Sequence, residues 1–172
     1  MKANFELKGG DILHCSGNRL ISRLIKRFTK SKFSHTAYVV EIWGKIYIID
    51  SQRDGTNPRP LEAWLKKFQY DVIVARKPAT PSERKVEYIR AFDKSGNTGY
   101  DLVTLFIRQP WKILTGKWAK WLEEKDPEEK MVCSEFVMWV KEVYGNERYT
   151  PQMAFDWTEA NNYDHKIYVY SL

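Results

Sequence analysis

Cysteine is scarce in this chain: only Cys15 and Cys133 occur in 172 residues. Neither belongs to a Cys-x-x-Cys pair, and the three histidines show no His-x-x-x-His spacing, so a zinc site is not expected. There is no glycine-rich phosphate loop and no Gly-x-Ser-x-Gly elbow, which removes the usual nucleotide-binding and serine-hydrolase signatures. No cofactor is implied. No apolar run reaches the length of a membrane span, and residues 1–7 lack the apolar core of a signal peptide. The expectation is a soluble cytoplasmic chain, or one at the cell envelope or secreted if a leader has been removed. Internal repeats and low-complexity tracts are also missing.

The composition that remains is that of a globular domain, with 43% apolar and 29% charged residues. The length suits one compact domain with a real core and is short for two. Aromatic residues reach 15%, including seven tryptophans, so the core or a binding surface is aromatic-rich. The net charge of +6 by itself suits an anionic partner such as nucleic acid, anionic lipid or a cell-wall polymer, although a modest positive charge is often only a solubility feature. Nucleic acid is not expected as the partner, and the oligomeric state is not readable from the sequence.

Turn and periodicity signals give the organisation. After the Gly9-Gly10-Asp11 turn, Ile12 to Cys15 reads as a strand. Leu20, Ile21, Leu24, Ile25 and Phe28 fall at helical spacing, opposite a face of Arg19, Arg23, Lys26, Arg27 and Lys30. Residues 35–43 and 46–50 read as a strand pair turning at Gly44-Lys45. Residues 51–60 read as a loop, 61–68 as a short helix, 70–76 as a strand and 81–93 as a helix. Further helix is expected over 100–107, and an amphipathic stripe of Trp111, Leu114, Trp118, Trp121 and Leu122 follows. An acidic linker, 123–129, precedes a helix carrying Cys133 and ending near Gly145. A last strand is expected over 166–170.

Cys133 is the residue that points to chemistry. A thiol at a helix start faces the positive end of the dipole, one way proteins make cysteine nucleophilic. On this helix Val132, Phe136, Trp139, Val140 and Val143 make the apolar stripe, which places the helix on a sheet with Cys133 beside the stripe. A free cysteine there is more often simply a small buried hydrophobe. His35 changes the balance: a histidine opening an apolar strand needs a polar partner, and the next strand offers Asp50. Asp50 can hold one ring nitrogen and turn the other toward sulfur, the base-plus-orienter arrangement. Asp54 and Glu41 are alternative acids, and Asp50 can equally be a turn residue. His14 and Cys15 are strand neighbours and point to opposite faces, so they form no dyad. His165 reads as a surface histidine.

The ordered set of Gly10-Asp11-Ile12-Leu13, Ser34-His35, Ile48-Ile49-Asp50, Pro60-Leu61, Gly99-Tyr100-Asp101-Leu102, Cys133-Ser134-Glu135-Phe136-Val137 and Thr150-Pro151 spans nearly the whole chain. It resembles the circularly permuted branch of the NlpC-like, papain-fold cysteine peptidases, the YiiX-like group. The resemblance implies an α+β, papain-like single domain over 1–172, with a central antiparallel sheet packed against helices and the nucleophile-bearing helix on the sheet. Residues 108–130 are a helical insertion relative to that family. Cys133 is implied as nucleophile, His35 as general base and Asp50 as its orienter, where many relatives carry glutamate. Tyr100 and Ser34 are implied to line the substrate site.

The expected activity is that of a cysteine hydrolase cleaving an amide bond, in peptidoglycan-type peptides, through a thioester acyl-enzyme. Two alternatives stand beside it: a lipid acyl hydrolase or acyltransferase of the same superfamily, and a non-catalytic relative that binds an acyl chain or peptide. The partner is accordingly a peptide or acyl-containing substrate. The basic helix and the Trp/Lys stripe add an expectation of peripheral membrane contact, against the commoner outcomes of a solvated helix face and a stripe packed on the core.

Overall fold

The computed structural model describes residues 2–67, 70–96, 99–100, 115, 130–143 and 149–171. Strands β1 (Lys2–Ala3), β2 (Ile12–Gly17), β3 (His35–Ile42), β4 (Lys45–Gln52), β5 (Gly55–Pro60) and β6 (Tyr70–Arg76) are followed by β7 (Gly99–Tyr100), β8 (Lys130–Met131), β9 (Asp164–Tyr168) and β10 (Tyr170–Ser171). The helices among the described residues are α1 (Leu20–Thr29), α2 (Leu61–Lys67), α3 (Pro81–Asp93), α4 (Cys133–Val140) and α5 (Pro151–Ala160).

A six-stranded antiparallel sheet in the order β5-β4-β3-β2-β6-β9 organises this α+β domain. Its strands alternate between two buried layers, because successive side chains point to opposite faces. Leu13, Val39, Ile48 and Val74 join Trp64 and Leu65 of α2 in one layer. Their neighbours Ile12, Tyr38, Ile49 and Ala75 join Ala91 of α3 and Phe136, Val137 and Val140 of α4 in the other. Helix α4 packs on β3 and β4 and is flanked by α3 and α5.

Local chemistry explains most boundaries. Helix α3 begins at a capping box: Thr80 Oγ1 accepts from Glu83 N at 3.3 Å, Glu83 Oε2 accepts from Thr80 N at 2.7 Å, and Pro81 takes the first helical position. The β3–β4 hairpin turns at Trp43-Gly44, one residue before the expected pair. Both have positive φ, 50° and 72°, as a two-residue turn of the type I′ kind requires. Asp11 is buried and its carboxylate receives both Arg76 Nε and Arg76 Nη2 at 2.7 Å, tying the start of β2 to the end of β6.

Three expectations need correction. Residues 55–60 form a strand where a loop was expected, because β5 is the sheet edge and an edge strand tolerates Pro58 and Pro60, which donate no ladder hydrogen bond. Helix α4 ends at Val140, five residues short of Gly145. Strand β9 starts at Asp164, pulled earlier by its pairing with β6, and β10 then pairs with β1. Tyr100 opens no helix but lies in β7, and the rest of the expected helix over 100–107, the tryptophan stripe and the 108–130 insertion fall outside the described residues, apart from the helical Thr115 and Lys130 of β8.

Candidate active site

His35 is the first residue of β3, and Asp50 lies near the end of β4. The pairing of Tyr38 with Ile49 sets Asp50 one diagonal step from His35 on the same sheet face. His35 Nε2 stands 2.7 Å from Asp50 Oδ2. The register that the sequence leaves open thus joins the residue pair it singles out. The two alternative acids are elsewhere: Glu41 is exposed far along β3, and Asp54 is exposed in the β4–β5 turn.

Asp50 is completely buried, and its oxygens are saturated with donors. Besides His35, Oδ2 accepts from Trp64 Nε1 at 2.9 Å and Gln52 Nε2 at 2.5 Å. Oδ1 accepts from Arg59 Nη1 at 2.5 Å, and Arg59 Nη2 reaches Asp54 at 2.6 Å. Burial pushes the Asp50 pKa up, but the His35 hydrogen bond and charge, the Arg59 guanidinium and the Trp64 N–H outweigh it and hold the carboxyl below its ordinary value. Sequence reasoning missed Arg59, Gln52 and Trp64 as partners of the acid. The Pro60-Leu61 start of a tryptophan-bearing helix was the one signal; Arg59 lay in a segment read as loop.

Helix α4 supplies the thiol. Val132 precedes the helix with an extended backbone, and Glu135 Oε2 accepts from Val132 N at 2.9 Å. The buried Ser134 hydroxyl donates to Tyr149 O at 2.5 Å, anchoring the first turn to the segment leading into α5. Cys133 is the first helical residue, so its backbone N–H has no acceptor within the helix. Cys133 is buried, and its sulfur lies near enough to His35 to act on the ring's ionisation. The two residues belong to opposite layers, and they meet because each stands at the end of its element. With Nε2 held by Asp50, Nδ1 is the ring nitrogen left for sulfur.

Electrostatics follow the geometry. Burial lowers the His35 pKa, but Cys133, by charge and hydrogen bonding, and Asp50, which accepts from the ring and carries a negative charge, push it up to about 10. Tyr70 stacks on the ring, with centroids 5.8 Å apart and planes 18° from parallel, which fixes its orientation further. Cys15 is paired across the β2–β3 ladder with His35 and is fully buried. Burial, Asp50 and Cys133 all push the Cys15 thiol well up; both cysteines are free and buried.

Ser34 and the other two histidines have other partners. Ser34 is buried; its hydroxyl accepts from Gly17 N at 3.0 Å and donates to Cys15 O at 3.4 Å, closing the base of the segment that carries α1. Tyr100 sits in β7, parallel to β8 one residue before Val132, and its side chain lies outside the described residues. His14 faces the opposite layer from Cys15, as strand alternation requires, and lies between Phe33 and Phe155 with Nε2 3.2 Å from Thr158 Oγ1. Burial, then the nearby His165, lowers its pKa to about 3. His165 is half-buried rather than on the surface, 2.9 Å from the same hydroxyl, because β9 extends far enough to carry it.

No family model and no curated protein matches this sequence. Among solved structures, the chain is similar to the crystal structure of YiiX from Escherichia coli O157:H7, described as a metalloprotein of DUF1105. The two superpose with a TM-score of 0.61 at 20% sequence identity, over 84% of this chain and 69% of that one. At that identity the likeness is one of fold.

Proposed function

We propose that this chain is a cysteine hydrolase that cleaves an amide bond, with Cys133 as nucleophile, His35 as base and Asp50 as the group that orients His35. The observation that carries the reading is the His35 ring, held by Asp50 through Nε2 at 2.7 Å, with the Cys133 sulfur at the helix start near enough to act on its ionisation. The His35 imidazole, raised above the ordinary histidine value, takes the thiol proton and becomes imidazolium. The sulfur then attacks the acyl carbon, with the Cys133 backbone N–H as a donor to the developing oxyanion. The carbon–nitrogen bond breaks as His35 returns its proton to the departing amine. Water attacks the thioester, His35 accepts a water proton, and the acid leaves with the thiol regenerated. The resemblance to the permuted NlpC-like group favours peptidoglycan-type peptides as the source of the amide.

The structural neighbour is described as a metalloprotein. The donors around Asp50 do not fit a cation here: one of its oxygens faces the Arg59 guanidinium, and the other accepts from three N–H groups. Among the described residues no cluster of three or more His, Cys, Asp or Glu side chains has the arrangement of a metal site.

A second reading, hydrolysis of a fatty-acyl ester by the same residues, is favoured by α1, which presents exposed apolar side chains at the His35 end of the sheet. A substrate screen decides between them. Wild type and Cys133→Ala are incubated with muropeptides and with acyl lipids, and new amines, acids and acyl-enzyme adducts are read by mass spectrometry. Release from muropeptides by wild type alone supports the amidase; release from lipids alone replaces it with the acyl-ester reading. Equal turnover by Cys133→Ala refutes both.

A further inference from the structure

The sequence of α1 has two faces. At 100° per residue, Leu20, Leu24, Phe28, Ile21 and Ile25 fill an arc of about 140°, and Arg19, Arg23, Lys26, Arg27 and Lys30 fill the arc opposite. In a helix resting on a protein core the centre of the apolar arc faces inward. Here the contact runs along one flank: Ser22 and Ile25 are buried, while Leu20, Ile21 and Phe28 remain 65%, 58% and 39% exposed.

The helix is held in that orientation. Lys26 Nζ donates to Ser16 Oγ at 3.0 Å, and Arg19 Nη2 donates to Lys67 O at 3.1 Å. Beyond its last turn, Lys32 N donates to Gln152 Oε1 at 3.0 Å. Gly17 makes the close seat possible, since a Cβ there would lie 2.5 Å from Ser22 Oγ and 2.8 Å from the Tyr70 ring. The outward arc is therefore a fixed surface, with Arg23, Arg27, Lys30 and Lys32 exposed around it.

Charge selects the occupant. Between Asn18 and Ser34 the chain has no acidic residue, so two copies meeting through this face would bring like charges together. An apolar arc bordered by cations matches an anionic bilayer, whose acyl chains take the leucine and isoleucine side chains while the headgroups take the arginines and lysines. We infer that α1 is a membrane-docking helix that lies in the headgroup region of an anionic lipid surface. Because α1 is the excursion between Gly17 and Ser34, docking sets the bilayer at the end of the sheet where His35 and Cys133 meet. The docking face stands on α1 alone and does not depend on which bond the thiol attacks.

The test is cosedimentation of the full chain with vesicles of phosphatidylcholine, or of phosphatidylcholine with one-third phosphatidylglycerol. Wild type is expected to pellet with the anionic vesicles only, and less so at high salt. Leu20→Ser/Ile21→Ser and Arg23→Glu/Arg27→Glu should each lower partition about tenfold or more. Both pairs are exposed, so the thermal midpoint and Cys133 alkylation should stay at wild-type values, which separates failure of docking from failure of the active-site reading. No binding to either vesicle, or binding by both variants equal to wild type, overturns the inference. So does loss on charge reversal with none on the serine changes, which marks surface attraction without insertion. A dimer that dissolves in Leu20→Ser/Ile21→Ser and never pellets assigns the face to a second copy and overturns it as well.

Discussion

Replacing Asp50 with asparagine removes one charge and alters nothing in volume, so its effect isolates the electrostatics of the candidate site. The carboxylate accepts from His35, Trp64 and Gln52 on Oδ2 and from Arg59 on Oδ1. An amide offers one accepting oxygen and one NH2 group that only donates. With its oxygen toward the three-donor side, its NH2 meets the Arg59 guanidinium; flipped, it faces three N–H groups. Either orientation sets donor against donor in a fully buried place. Breaking one side of a buried ion pair costs about 3–5 kcal/mol, a large share of the roughly 5–15 kcal/mol that holds a domain folded. Asp50→Asn should therefore lower the urea midpoint by an amount equal to that loss divided by an unchanged m value. The His35 imidazole should also titrate well below about 10, because the Asp50 hydrogen bond and charge both raise it. A loss under about 1 kcal/mol together with an unmoved His35 titration, followed by NMR of the ring protons, would refute the argument.

Cys133→Ser replaces the sulfur that contributes most to raising His35, so the ring should titrate below about 10; an unchanged value contradicts the contact. The two shifted histidines bear on stability at opposite ends of the pH range. His35 is raised above its unfolded value, so its contribution is complete below about 6.5 and is lost as pH climbs through about 10. His14 is lowered to about 3, so the unfolded chain binds a proton that the fold refuses, and stability falls as pH drops from about 6.5 toward 3. Urea midpoints across that range should form a dome whose acid limb flattens in His14→Gln; an unaltered acid limb counts against the assignment. Ser134→Ala leaves Tyr149 O without its buried donor and should cost about 1–3 kcal/mol by the same unfolding measurement. A neutral result would show that the α4 start is anchored otherwise.

What sequence reading captures here is local. The Thr80-Pro81-Ser82-Glu83 cap, the apolar alternation of β3 and β4, and the thiol at the head of an apolar helix are each written in a few adjacent residues. Tertiary context decided the rest. Pro58 and Pro60 read as loop until β5 is seen to be an edge, where a missing N–H costs nothing. Asp50 had two rival acids because nothing local sets the β3–β4 register, and the diagonal to His35 is a consequence of that register. Arg59, Gln52 and Trp64 converge on one carboxylate from β4, β5 and α2, a convergence no spacing rule encodes. In α1 the two faces were readable, but the flank that meets the body depends on Gly17, Ser22 and Tyr70 fitting together.

The central claim is that His35 makes Cys133, and not Cys15, a nucleophile. Site-resolved alkylation with iodoacetamide near neutral pH, read by peptide mass spectrometry, tests it directly in the folded chain. Cys133 should be modified while Cys15, fully buried with its thiol pKa raised, stays unlabelled, and His35→Ala should slow the reaction about tenfold or more. Equal, slow labelling of both cysteines, or a Cys133 rate untouched by His35→Ala, contradicts it.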